Sequence, residues 1–136
     1  MTMADRMNLF DIAGRAMSAQ LVRMKASASN LANAGSVAGS EAEAYRPIRP
    51  VFAEALDAAG EASTVSVAAI RRDTAAPVRR HDPAHPLADA NGDVWQAPID
   101  ENAEMVEMLE ASRQYRNMVE ALGTAKQLML ETVRMK

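Results

Sequence analysis

"EMVEMLEASRQYRNMVEALGTAKQLMLETV", residues 104–133, decides the fold. Met108, Tyr115, Leu122 and Met129 recur every seven residues, with Met105, Ala111, Met118, Val119 and Ala125 beside them. Apolar residues at that spacing make one stripe along an α-helix, the seam of a coiled coil. Pro98 lies just upstream and Asp100 is placed to cap the helix start. Glu101, Glu104, Glu107 and Glu110 fill the first turns, and Lys126, Arg134 and Lys136 sit toward the end. That order complements the helix dipole. A helix over 100–134 would be about 50 Å long at ~1.5 Å per residue. Leu128, Met129 and Leu130 stand in sequence, with Val133 following, so the far end is apolar on most sides. Such an end must be surrounded, and one partner helix covers only one face.

A second helix reads from about Asp5 to Asn33. Phe10, Met17, Met24 and Leu31 recur at seven, with Gly14, Leu21 and Ala28 four positions after the first three. Arg6, Arg15, Arg23 and Lys25 fall off this 4-3 stripe. Gly14, Ala28 and Gly123 lie on or beside the two seams and would admit close helix approach. The N-terminal helix closes on "SASNLANAGS" (27–36), where Asn30 and Asn33 can cap free backbone groups, with Gly35 beyond as a C-terminal signal.

Between the helices, Pro47, Pro50, Pro77, Pro83, Pro86 and Pro98 break any continuing helix. "STVSVAAI" (63–70) alternates and is rich in β-branched residues, which predicts a strand. "YRPIRPVF" (45–52) reads as extended, an edge strand given its prolines. "NGDVWQ" (91–96) sets the hairpin pair Asn91-Gly92 before Val94 and Trp95. "AGSVAGSEAEA" (34–44) reads as a flexible connection. The fold class is therefore α+β: long N- and C-terminal helices paired as an antiparallel coiled coil, with a small antiparallel β unit inserted. Residues 1–33 with 99–136 form the helical part, and 34–98 the linker and β unit.

Composition narrows the function. The 136 residues are 49% apolar but only 4% aromatic, and alanine and ten methionines carry the apolar count, so no thick aromatic core is expected. The net charge of −3 is spread along the chain, and no segment is basic enough to argue for nucleic acid. The absence of cysteine removes disulfides, thiolate metal sites and cysteine nucleophiles together. Asp5, Arg6 and Asp11 interrupt any secretory-signal pattern, and no window is apolar enough to span a bilayer. His81 and His85 stand four apart, but Pro83 and Pro86 forbid the helix a metal pair would need. "DANGD" (89–93) alternates like a calcium loop, yet its glycine is fourth where such loops need it sixth. Glu104, Glu107 and Glu110 read as a solvated helix face. No cofactor, metal or catalytic site is expected, and no enzyme.

The two ends together resemble the bacterial flagellar basal-body rod family, and its proximal-rod members in particular. "NLFDIAGRAMSAQ" runs into "ASNLANA", "YRPIRPVF" and "HPLADANGDV" follow, and the long C-terminal stretch closes the order. The resemblance implies a structural subunit of the proximal rod, a drive shaft that transmits torque across the periplasm. It implies synthesis in the cytoplasm and unfolded passage through the flagellar type III apparatus without a cleaved signal. Partners would be further copies, other proximal and distal rod proteins, and the membrane-ring and export-gate base, with no nucleic acid and no membrane span. Subunit contacts would fall on Phe10, Met17, Leu21, Met24, Asn30, Leu31 and Asn33 of the first helix. On the second they would fall on Met108, Tyr115, Leu122, Leu128, Met129 and Leu130. Met118, Gly123 and Asp93 depart from the family's usual residues. The rival reading is a stand-alone coiled-coil adaptor or chaperone of a secretion system.

Overall fold

The computed structural model describes residues 3–56 and 63–136, with side chains from residue 9 onward. Arg6 thus lies outside the described side chains. Two long helices enclose the β segments in sequence: α1 (Met3–Ala32) and α2 (Glu101–Arg134). Arg23 near the end of α1 meets Glu107 near the start of α2 at 2.7 Å, so the helices run antiparallel. The α+β expectation holds. Asp100 caps α2, its Oδ1 accepting from the Ala103 N–H at 3.1 Å, with Glu101 and Glu104 in the first turn.

α1 closes as the amide-rich stretch suggested. Asn33 Nδ2 donates to the Ser29 carbonyl at 2.8 Å and Ser36 Oγ to the Asn33 carbonyl at 2.8 Å, each a second hydrogen bond to a carbonyl that also accepts the backbone N–H of the same residue. Gly35 does not take the left-handed conformation of a glycine cap: among the described residues only Gly92 has positive φ, at 77°.

The β residues form two separate sheets. β2 (Ile48–Leu56) and β3 (Ser63–Arg72) make a long two-stranded antiparallel ribbon, irregular between Val51 and Phe52. β1 (Val37–Ala38), β4 (Val78–His81) and β5 (Asp93–Gln96) make a three-stranded antiparallel sheet in the order β1-β5-β4. The segment read as a flexible connection therefore contributes β1, because Val37 and Ala38 pair with Gln96 and Trp95. The Asn91-Gly92 pair does not form a two-residue hairpin. It ends a longer loop between β4 and β5, where Asp89 Oδ1 accepts from the Asn91 and Asp93 N–H groups at 2.9 Å each. A Cβ on Gly92 would come within 3.0 Å of Pro83, so both φ and space call for glycine.

Buried positions are mostly small, among them Ala19, Ala26, Ala34, Ala44, Ala97 and Ala111, and the largest fully buried side chains are Glu104, Asn30, Pro47 and Val94, the last at the centre of the three-stranded sheet. Many large apolar side chains remain at the surface of the single chain.

Candidate functional site

On α2 the inward row is Glu104, Met108, Ala111, Tyr115, Met118, Leu122, Ala125 and Met129, each buried or half-buried. It follows the heptad seam read from the sequence, with Ala111 fully buried where the helices approach. α1 differs. Its buried positions are Ala13, Ala19, Ala26, Ser27 and Asn30, while Met17, Met24 and Leu31 are half-buried and Phe10 and Leu21 exposed. The cause is that α1 packs against both α2 and the β2–β3 ribbon. Two close neighbours select small residues and push the large ones to the flanks. Gly14 and Gly123, expected to admit close approach, face open space within the chain: a Cβ on either would meet nothing within 4 Å.

Other apolar side chains of α2 lie outside the internal packing. Met105, Leu109, Val119 and Leu130 follow one flank of the helix, Val106 and Leu128 lie on another, and Val133 continues the inward line one turn after Met129; all are exposed, Leu128 at 58%, Leu130 at 50% and Val133 at 64%. Leu128 and Leu130 point away from the seam that Met129 enters, as three consecutive apolar residues on a helix must. So many large apolar side chains left in water on one helix mark a place of contact with another molecule.

Where the helices meet the ribbon, two polar clamps fix the start of β2. Asn30, wholly buried, treats Ile48 as a strand would. Its Oδ1 accepts from the Ile48 N–H at 2.8 Å and its Nδ2 donates to the Ile48 carbonyl at 3.0 Å. The Tyr45 hydroxyl donates to the same Oδ1 at 2.9 Å and lies 3.2 Å from Ser29 Oγ. The next residue, Arg49, forms an ion pair with Glu104 on α2 and lies 3.8 Å from Asp73. Glu104 is 1% exposed, so the reading of a solvated acidic face fails at this residue, though Glu107 beside it is half-exposed. Among the described residues Glu104 Oε2 has no hydrogen-bond partner. Further along, Gln114 and Arg113 hydrogen-bond Glu110 and hold its carboxyl below the usual range. Sequence reasoning missed the clamps because their partners lie 18 to 55 positions apart.

The two histidines do separate jobs. His81 Nδ1 lies 2.9 Å from Asp93 Oδ1, whose other oxygen is 3.4 Å from Arg79. His85 Nδ1 accepts from the Leu87 N–H at 3.1 Å. Among the described residues no group of three His, Cys, Asp or Glu could hold a metal ion, and no helix is long and apolar enough to cross a membrane.

A family model described as "Flagella basal body rod protein" matches residues 10–39, from the first turns of α1 through β1. The chain is 46% identical over 127 residues to the flagellar basal-body rod protein FlgC of Yersinia enterocolitica, covering 93% of this chain and 95% of that one. It is 43% identical over 129 residues to the FlgC of Salmonella typhimurium, with the same coverages. To the FlgC of Agrobacterium fabrum it is 30% identical over 123 residues, 90% of this chain and 88% of that one.

Proposed function

The chain belongs to the family of flagellar basal-body rod proteins, and we propose that its terminal helices are the parts that build the rod. It is a structural subunit of the flagellar basal body and not an enzyme, and it assembles with other flagellar components. The observation that carries the finer reading is the outer apolar row of α2, which a single chain leaves in water. Leu128 and Leu130, on opposite flanks of Met129, and Phe10 and Leu21 on α1 meet neighbouring subunits. Met17, Met24, Leu31, Met108, Tyr115, Leu122 and Met129 support both the internal seam and the contacts beside it. Asn30 and Asn33 act there by fixing where α1 stops and where the ribbon begins.

In this reading the neighbours are further copies and other proximal and distal rod proteins, above the membrane-ring and export-gate base. The helical part, 1–33 with 99–136, lines the shaft, and the β unit of 34–98 lies outside it. The shaft crosses the periplasm and transmits torque, so the mechanism is directional helix packing. The subunit reaches that place unfolded through the type III apparatus, without a cleaved signal. The adaptor alternative has no observation in its favour, since the relatives matched are rod proteins along nearly the whole chain. The test is recovery of the chain in purified basal bodies together with the effect of Leu109→Asp. Loss of the variant from the rods with its fold intact supports the reading. Normal rods and swimming would refute it.

A further inference from the structure

The loop between β4 and β5 carries a chemically reactive pair. Asn91 is exposed, and Gly92 follows it without a side chain. Asparagine before glycine is the dipeptide that cyclises most readily. The glycine backbone nitrogen loses its proton and attacks the amide carbon of the asparagine side chain, ammonia leaves, and a five-membered succinimide closes. Water then opens the ring at one carbonyl or the other. One product is aspartate. The other is isoaspartate, in which the main chain runs through the side-chain carbonyl and is one atom longer. A side chain on the second residue would crowd the attack, and glycine has none.

In the folded chain this reaction is blocked at each atom it needs. The nitrogen must give up its proton and turn toward the Asn91 side chain. The Gly92 N–H is instead donated to the Asp89 carbonyl at 3.0 Å. Asp89 Oδ1 accepts from the Asn91 N–H and from the Asp93 N–H, at 2.9 Å each. The flanks are tied as well: the Asp82 N–H donates to the Gly92 carbonyl at 2.9 Å, and the Asp89 N–H to the Asp93 carbonyl at 2.9 Å. Gly92 itself sits at φ 77°, where a Cβ would come within 3.0 Å of Pro83 and 3.1 Å of His81. A nitrogen held on so many sides does not swing onto its neighbour.

We propose that Asn91-Gly92 is a site of succinimide and isoaspartate formation, latched by Asp89 in the folded chain and open whenever the loop or the whole chain unfolds. Damage then accrues before folding and not in the folded molecule. Its cost falls on the three-stranded sheet. Asp93, two residues on, is buried and lies 2.9 Å from His81 on β4. His81 and Asp93 are cross-strand partners, as are Arg80 and Val94. An extra main-chain atom at position 91 pushes Gly92 and Asp93 out of that register. The pairing of α1 with α2 involves none of these residues, so the inference stands apart from what the helices assemble into.

The experiment incubates the purified full chain at mildly alkaline pH, folded in one sample and unfolded in guanidinium chloride in the other. Peptide mapping by mass spectrometry reads the exchange of amide for acid at position 91. Isoaspartate is counted by enzymatic methylation of the α-carboxylate that its linkage leaves free. The reaction should run at least about tenfold faster in the unfolded chain, because the folded chain reacts only through local opening of the loop. Equal rates in the two samples, or no reaction in the unfolded one, overturn the proposal. Asp89→Ala, confirmed as folded by circular dichroism, should react faster than the unaltered folded chain, and Asp89→Asn, which keeps an acceptor oxygen, should react more slowly than Asp89→Ala. An unchanged rate in folded Asp89→Ala overturns the latch, and the comparison of folded with unfolded chain needs neither variant. The isoaspartate form, separated from the parent, should lose hydrogen-exchange protection in β4 and β5 and keep that of α1 and α2. Full protection of β4 and β5 in that form overturns the cost assigned to the sheet.

Discussion

Asn30 gives Ile48 both backbone hydrogen bonds that a neighbouring strand would give it, from a side chain at the end of a helix. The amide is fully buried and also accepts from Tyr45, so three groups of the chain between helix and ribbon depend on it. Asn30→Ala leaves them unpaired and should cost about 2–4 kcal/mol in urea unfolding of the purified chain. Asn30→Asp keeps the acceptor and loses the donor to Ile48, at a buried site where a charge is costly. It should destabilise to a similar degree, and wild-type stability in both variants would contradict the clamp.

Arg49 and Glu104 form the second tie on the same strand. Removing Arg49 strands a carboxylate that is almost fully buried. Arg49→Ala should cost about 2–4 kcal/mol, the lower part of the range applying because Arg49 is itself half-exposed. Replacing both residues, Arg49→Met with Glu104→Met, should recover most of that loss. A double-mutant cycle by thermal unfolding measures it.

The outer face of α2 separates folding from assembly. Leu109 is 60% exposed, so Leu109→Asp removes little internal packing and should leave the melting temperature of the isolated chain nearly unchanged. The same variant should be absent from rods and should not swim. Leu122→Asp differs, because Leu122 lies half-buried on the internal seam. It should lower the stability of the chain itself by about 2–4 kcal/mol. Swimming cells carrying Leu109→Asp would count against the outer face as an assembly surface.

Gly123 offers a test with opposite signs. It sits inside α2, and a methyl group at this position would meet nothing within 4 Å, so Gly123→Ala should stabilise the free chain by about 0.5–1 kcal/mol. If the small residue admits a neighbouring helix, the same change should reduce incorporation into rods. Competition between the two chains for rod assembly, read by mass spectrometry, decides it.

How much of this was legible in the sequence depended on the number of neighbours each element has. α2 presents one inward face, so its heptad row from Met108 to Met129 could be read directly. α1 packs between α2 and the ribbon, and burial moved onto Ala13, Ala19 and Ala26, which carry no hydrophobic period of their own. β3 announced itself through Ser63–Ile70, and Asp100 through its place before the acidic turn. β1 did not, because two residues in a Gly- and Ser-rich stretch become a strand only by meeting Trp95 and Gln96. Glu104 looked like its solvated neighbours because its partner Arg49 lies 55 residues earlier. No local pattern reports so distant a contact.

The central claim is that neighbouring subunits cover the outer row of α2 in the rod. Hydroxyl-radical footprinting tests it most directly, comparing the free chain with purified basal bodies at Met105, Leu109 and Leu130. The account predicts that all three react readily in the free chain, where each is about half or more exposed, and are protected in the rod. Equal reactivity in both states would contradict it.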